Sequence, residues 1–203
     1  ATDAQFATRC DADDLFAPDR LKWQLDFLQE HAGFAAVCGS VATMTHRGKM
    51  LPARSNPPAY DMTEELKAGR GRSHICAYLF RTALLKQLGG CRSFFVTAED
   101  VDLQLRLAEI GRIWFDPRPA YFYRLHDASI THTQKAKERA CDEMCAREFQ
   151  RQRLSRPDGR DDLQLGQAPT PPTDDNSAAI KPRQRVQMML LGQAWSAHAA
   201  GAT

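Results

Sequence analysis

Two patterns of apolar residues alternate along this chain, one with a helical period and one of short unbroken apolar runs. "PDRLKWQLDFLQEH" sets Leu21, Leu25 and Leu28 at i, i+4 and i+7, predicting a helix that Pro18 opens. "FAAVCGSVATM", residues 34–44, is almost continuously apolar and predicts a largely buried strand. "HRGK" predicts a turn and "LPARSNPPAYD" a loop. "MTEELKAG" predicts a short helix, and "AYLFRTALLKQLGG" a longer one closed by Gly89 and Gly90. "TAEDVDLQLRLAEIG" carries the clearest stripe, Leu103, Leu107 and Ile110, with Thr97 and Asp100 at capping-box spacing and Gly111 at its end. "RIWFD" and "AYFYRL" predict two short strands separated by Pro117 and Pro119, and the residues up to Cys10 predict another.

Alternating strands and helices imply an α/β layer fold, with residues 1–132 as its globular region. A charged helix is expected over 133–156, running out of the compact region. Prolines at 157, 169, 171, 172 and 182 among polar residues predict a linker over 157–182, before a short helix in 183–203.

The length of 203 residues allows one real core, and 43% hydrophobic with 26% charged residues is ordinary for a soluble chain. A net charge of +2 creates no steering field, so composition makes no case for nucleic acid. The six cysteines form no C-x-x-C pair, which suits reduced thiols better than a disulfide framework or a zinc site. "ATDAQFATRC" lacks the features of a signal peptide, and no apolar run approaches the roughly 18 residues of a membrane span. The expected setting is cytoplasmic, with at most peripheral contact at the inner membrane face.

Three clusters carry candidate chemistry. In "DADD", an extended backbone would turn Asp11 and Asp13 to one side, about 6–7 Å apart, and Asp14 away. Paired carboxylates suit a hard divalent cation, Mg²⁺ or Mn²⁺; the alternative is that these acids cap the helix after Pro18. In "TAED", Asp100 is either the reciprocal cap of Thr97 or a general base beside Glu99. In "YRLHDASIT", Arg124 and His126 stand at i and i+2, so both can face one site. A guanidinium suits a diphosphate, and an imidazole suits a metal or phosphate; the alternative is an ordinary surface loop.

In order and spacing, "CDADDLFAPDRLKWQLDFL", "VCGSVATMTHRGK" and the run from "AYLFRTALLKQLGG" through "TAEDVDLQLRLAEIG" to "YRLHDASIT" resemble the second half of a family 2 glycosyltransferase of GT-A fold, over residues 6 to about 132. The resemblance implies a partial GT-A mixed sheet with flanking helices, Asp11 and Asp13 as the Asp-x-Asp acids, and Asp13 as the direct ligand of a divalent metal. It implies Asp100 as catalytic base with Glu99 as its companion, and Arg124 and His126 closing over the donor's diphosphate. Asp14 keeps a capping role. The implied reaction is an inverting transfer from a nucleotide-diphospho-sugar to a glycan, lipid-linked or protein acceptor, of the kind used for cell-envelope polysaccharides.

Members of this family begin with β/α units that hold the nucleoside, and that half precedes the region matched here. The expectation is therefore a fragment that binds sugar nucleotides poorly alone. Its exposed sheet edge would favour association, as a homodimer for example. The helix near 133–156, where basic residues outnumber acids, either docks on its own domain or offers a basic face to anionic lipid. A non-catalytic remnant acting as an interaction module is the rival reading, and a phosphate-transferring or hydrolysing metal enzyme a third.

Overall fold

The two longest apolar runs become the middle of one sheet. A computed structural model describes residues 3–52, 56–70, 73–126 and 136–169. Strands β3 (Phe34–Thr45) and β6 (Arg112–Leu125) pair in parallel along their whole length. Strand β5 (Tyr78–Arg81) lies antiparallel on the other side of β3, and β1 (Phe6–Ala7) is antiparallel outside it. Beyond β6, β2 (Leu15–Phe16) pairs with its C-terminal part and β4 (Tyr60–Asp61) with its N-terminal part, both antiparallel. The sheet order is β1-β5-β3-β6-β2, with β4 also on β6.

Side-chain alternation feeds two cores. Tyr78, Phe80, Ile113 and Phe115 point to the larger one, which helices α2 (Thr63–Lys67), α4 (Glu99–Ile110) and α5 (Ala136–Ser155) help to fill. Leu79 joins Leu28, Phe34 and Val37 in a smaller core, with Trp114 packed against it and the helix α1 (Arg20–Glu30) covering that face. Because β3 is covered on both faces, it reads as an unbroken apolar run.

Four expectations change. "AYLFRTALLKQLGG" is not one helix but β5 followed by the short helix α3 (Thr82–Gln87). Tyr78, Leu79 and Phe80 are all buried, and a strand buried on both faces shows no alternation to set it apart from a helix. Gly89 and Gly90 do end α3, both in the left-handed region, with the Gly90 amide donating to Leu85 O.

"RIWFD" and "AYFYRL" are one strand. The register jumps from Gly39 opposite Asp116 to Ser40 opposite Pro119, so a bulge absorbs Pro117 and Arg118. The strands close tightly there: a Cβ on Gly39 would lie 2.5 Å from Ala120 Cβ and 2.8 Å from Arg118 O.

The charged helix does not run out of the compact region. α5 lies along α4, with Ala146 and Phe149 buried and the Phe149 ring edge-on to Phe94 and Phe95. Of the two alternatives, docking on its own domain is the one found: apolar residues at 145, 146 and 149 give the helix a face that packs into the larger core.

Residues 157–169 fold back onto α5 instead of forming a linker. Asp161, fully buried, accepts from Arg92 Nη1 at 2.7 Å and from Arg153 Nη1. Arg92 also pairs with the buried Asp102, which Arg106 Nε reaches at 2.8 Å, and Arg153 pairs with Glu109 at 2.7 Å. The chain of charges Arg106–Asp102–Arg92–Asp161–Arg153–Glu109 thus ties α4, the turn before it, α5 and the segment after it. Residues 170–182 and the helix expected in 183–203 lie outside the described residues.

Candidate active site

The site assembles where β1, β6 and the start of α4 meet. After β1 the chain makes a turn instead of continuing extended, the Asp14 amide donating to Asp11 O at 3.2 Å. The three acids therefore do not divide as a strand would divide them. Asp11 accepts from Arg9 Nε at 3.0 Å, and its amide donates to the Tyr121 hydroxyl at 3.1 Å. Asp13 stands exposed, with its Oδ2 2.5 Å from His126 Nε2. Asp14 turns inward: its Oδ1 accepts from the Arg124 amide at 2.7 Å, and its Oδ2 is buried with no hydrogen bond.

Asp14 is not a helix cap. Helix α1 begins after Asp19, in the left-handed conformation and with no side-chain capping bond. The turn's carboxylates are used instead across the sheet end, because β6 brings Arg124 and His126 there. Arg124 Nε donates to Asp13 O at 2.6 Å and Nη1 to His46 O at 2.9 Å, so the guanidinium clamps two backbone turns. The hydrogen bond to His126, aided by Arg124, holds the Asp13 carboxyl below the usual carboxylate range against the weaker effect of burial.

The acid pair Glu99–Asp100 opens α4, but no capping box forms. The residue before the helix is Ala98, at φ +60° and buried, and it makes no side-chain cap. Such a backbone is strained for a residue with a Cβ and persists only where surrounding contacts impose it. Those contacts come from α5: Asp142 Oδ2 accepts from both the amide and the hydroxyl of Thr97, each at 3.0 Å. Asp100 Oδ1 accepts from the Val101 amide at 2.8 Å. Glu99 Oε1 lies 3.5 Å from Arg9 Nη1.

Arg9 therefore spans the two clusters, one guanidinium touching Asp11 and Glu99 together. His74 reaches Tyr121, whose hydroxyl accepts from the Asp11 amide. Its ring stacks on Tyr121 with centroids 5.2 Å apart, and its Nδ1 accepts from the Cys76 amide at 3.3 Å. Burial pulls the His74 imidazole below its ordinary range, while the charges of Asp11, Asp100 and Asp14 oppose that shift. Behind it, the buried Arg20 donates to Cys76 O at 2.6 Å and Tyr78 O at 3.0 Å; burial brings its guanidinium down to about 10.

Sequence reading passed over Arg9, His74 and Tyr121. A lone histidine before an apolar run carries no signal of its own, and Arg9 is marked only by adjacency to "CDADD".

The donor available to a divalent cation is one exposed carboxylate, Asp13, whose Oδ2 is hydrogen-bonded to His126. Asp11 is held by Arg9, and among the described residues no three His, Cys, Asp or Glu side chains cluster to hold a metal. One protein carboxylate fits a cation that takes its remaining ligands from water and phosphate oxygens, as Mg²⁺ does. No described helix is long and apolar enough to cross a membrane.

A mixed sheet with a parallel central pair, flanking helices and acids gathered at one sheet end defines a GT-A-like glycosyltransferase fold. The chain belongs to the family described as glycosyltransferase like family 2, whose model matches residues 2–153 and so extends through most of α5. No match was found among curated proteins. Among solved structures, S. aureus TarS 1-349 in complex with UDP is similar at 16% identity and TM-score 0.49, covering 96% of this chain and 48% of that one. S. aureus TarS itself is similar at 15% identity and TM-score 0.49, covering 96% and 29%. The chain thus spans about half the length of the first of these or less than a third of the second.

Proposed function

We propose that this chain carries the catalytic side of a glycosyltransferase that moves a sugar from a nucleotide-diphospho-sugar to an acceptor hydroxyl with inversion. The observation that supports this reading is the Arg9 bridge, one guanidinium in contact with both Asp11 and Glu99.

Asp100 is the general base of this scheme. Its Oδ1 is occupied by the Val101 amide, so Oδ2 takes the proton of the acceptor hydroxyl. The hydroxyl oxygen forms a bond to the anomeric carbon as the bond from that carbon to the diphosphate oxygen breaks, its electron pair leaving with the nucleoside diphosphate. Glu99, paired with Arg9, holds the guanidinium between base and turn. Asp13 would be the direct ligand of a Mg²⁺ or Mn²⁺ ion, with Asp11 joining it once released from Arg9, and the ion would supply positive charge against the departing diphosphate, with His126 beside it. Arg124 keeps the Asp13 turn in place through its carbonyl.

The acceptor class in this reading is a glycan, a lipid-linked sugar or a protein, met on the cytoplasmic side, peripherally at the inner membrane face for a lipid-linked acceptor. Transfer and donor hydrolysis measured across UDP-, GDP- and dTDP-sugars test the assignment. Asp100→Asn is expected to lower turnover by about 10²–10⁴-fold with donor binding retained. Wild-type turnover in that variant would reject it.

A further inference from the structure

A cleft of about 140 Å³ opens between α2, α4 and α5, and none of the acids described above lines it. Leu66, Val101 and Leu105 form its apolar wall, and its polar side chains are Arg70, Gln104 and Arg147. All three present donors.

Gln104 is fully buried. Its Oε1 accepts from the Tyr78 hydroxyl at 2.9 Å and the Ser73 amide at 3.3 Å. A backbone N–H can only donate, so the oxygen must face Ser73, and the amide nitrogen is left on the other side. That Nε2 is buried with no hydrogen-bond partner. Native proteins seldom leave such a group unpaired, because its lost hydration is not replaced.

Arg70 is exposed, and its guanidinium has no hydrogen bond or ion pair among the described residues. Arg147 is anchored by Nε to Gly69 O at 3.1 Å and by Nη1 to Glu143 O at 3.2 Å, and its Nη2 lies 3.6 Å from Glu143 Oε2; the second N–H on each of Nη1 and Nη2 is what it can offer the cleft. Glu143, the carboxylate nearest Arg147, is also paired with Arg139 Nε at 3.2 Å.

We propose that this cleft binds a phosphate-class oxyanion, held by Arg70 and Arg147 with Gln104 Nε2 donating from the floor. Two guanidiniums and a neutral donor match the charge and acceptor oxygens of phosphate, and they repel a cation. On its other side Gln104 Oε1 accepts from the amide of Ser73, the residue before His74.

Calorimetric titration of the full chain tests this with inorganic phosphate and glycerol phosphate as soluble probes. Flotation with phosphatidylcholine vesicles, with and without phosphatidic acid, tests a lipid headgroup as the source. Arg70→Ala and Arg147→Ala are each expected to weaken binding by about tenfold, the loss of one charge-assisted contact. Arg151→Ala, a change to an arginine paired with Glu148 on the outer face of α5, is expected to leave it unchanged. Soluble probes that bind identify a free phosphate or phosphate ester, and binding confined to phosphatidic acid vesicles identifies a headgroup. Binding in neither arm, or equal binding by wild type and both cleft variants, overturns the proposal.

Discussion

Asp142 on α5 holds Thr97 by two hydrogen bonds of 3.0 Å, two residues before the acid pair that opens α4. A helix expected to leave the domain is therefore what positions the approach to Glu99 and Asp100. Its carboxylate replaces the capping box that local spacing had predicted.

That relationship makes Asp142 a test of long-range support. Asp142→Ala leaves the Thr97 amide and hydroxyl buried without their acceptor, at a cost of about 1–3 kcal/mol. Urea denaturation should show that loss, and turnover should fall because Ala98 is no longer held at positive φ. Unchanged stability would mean that Thr97 finds another partner and that α5 does not set the helix start.

The charge chain through Arg92 predicts a larger effect. Arg92→Met strips one partner from each of two fully buried carboxylates, Asp102 and Asp161, and should destabilise by about 3–5 kcal/mol. Guanidinium denaturation checks this. A cost under about 1 kcal/mol, the level of a surface pair, would place the network in water.

Acid should unfold the protein in two windows. Burial holds the His74 imidazole below its ordinary range, so the unfolded chain takes up a proton first and stability falls as pH drops below about 6.5. For Asp161 burial acts to raise the carboxyl, but the Gln164 amide with Arg92 and Arg153 outweighs it, and the group lies below its usual range. Its contribution is complete above about pH 3.9 and is lost as pH falls through the lower folded value. His74→Phe, which keeps a ring against Tyr121, should flatten the first window only. A variant whose pH profile overlays wild type between pH 5 and 7 would remove His74 from this account.

Gly39 predicts a steric failure. An added Cβ meets Ala120 and the Arg118 carbonyl where β3 and β6 close around the bulge, so Gly39→Ala should cost about 1–3 kcal/mol through backbone displacement. A lowered melting temperature with an unchanged fold by circular dichroism is the expected result; an unaltered one would show that the bulge yields freely.

Legibility followed burial geometry. β3, α1 and α4 were readable because their apolar patterns are long. β5 was not, since Tyr78, Leu79 and Phe80 face two cores and their run matches either period. β6 looked broken because two prolines sit in a register shift that only pairing with β3 creates. Asp11, Asp13, Glu99, Asp100, Arg124 and His126 were nameable from sequence as candidates, but their partners were not.

The order of residues by itself determined the α/β class, the strand position of the long apolar run at 34–44, and the presence of acids after β1 and at the start of α4. Tertiary structure decided that Asp14 turns inward, that Asp13 meets His126, that Arg9 joins Asp11 to Glu99, and that Asp142 supplants a local cap. The physical reason is that a carboxylate's role is set by whichever donor reaches it. Here those donors arrive from β6 and α5, and neither helical nor strand periodicity encodes so distant a meeting.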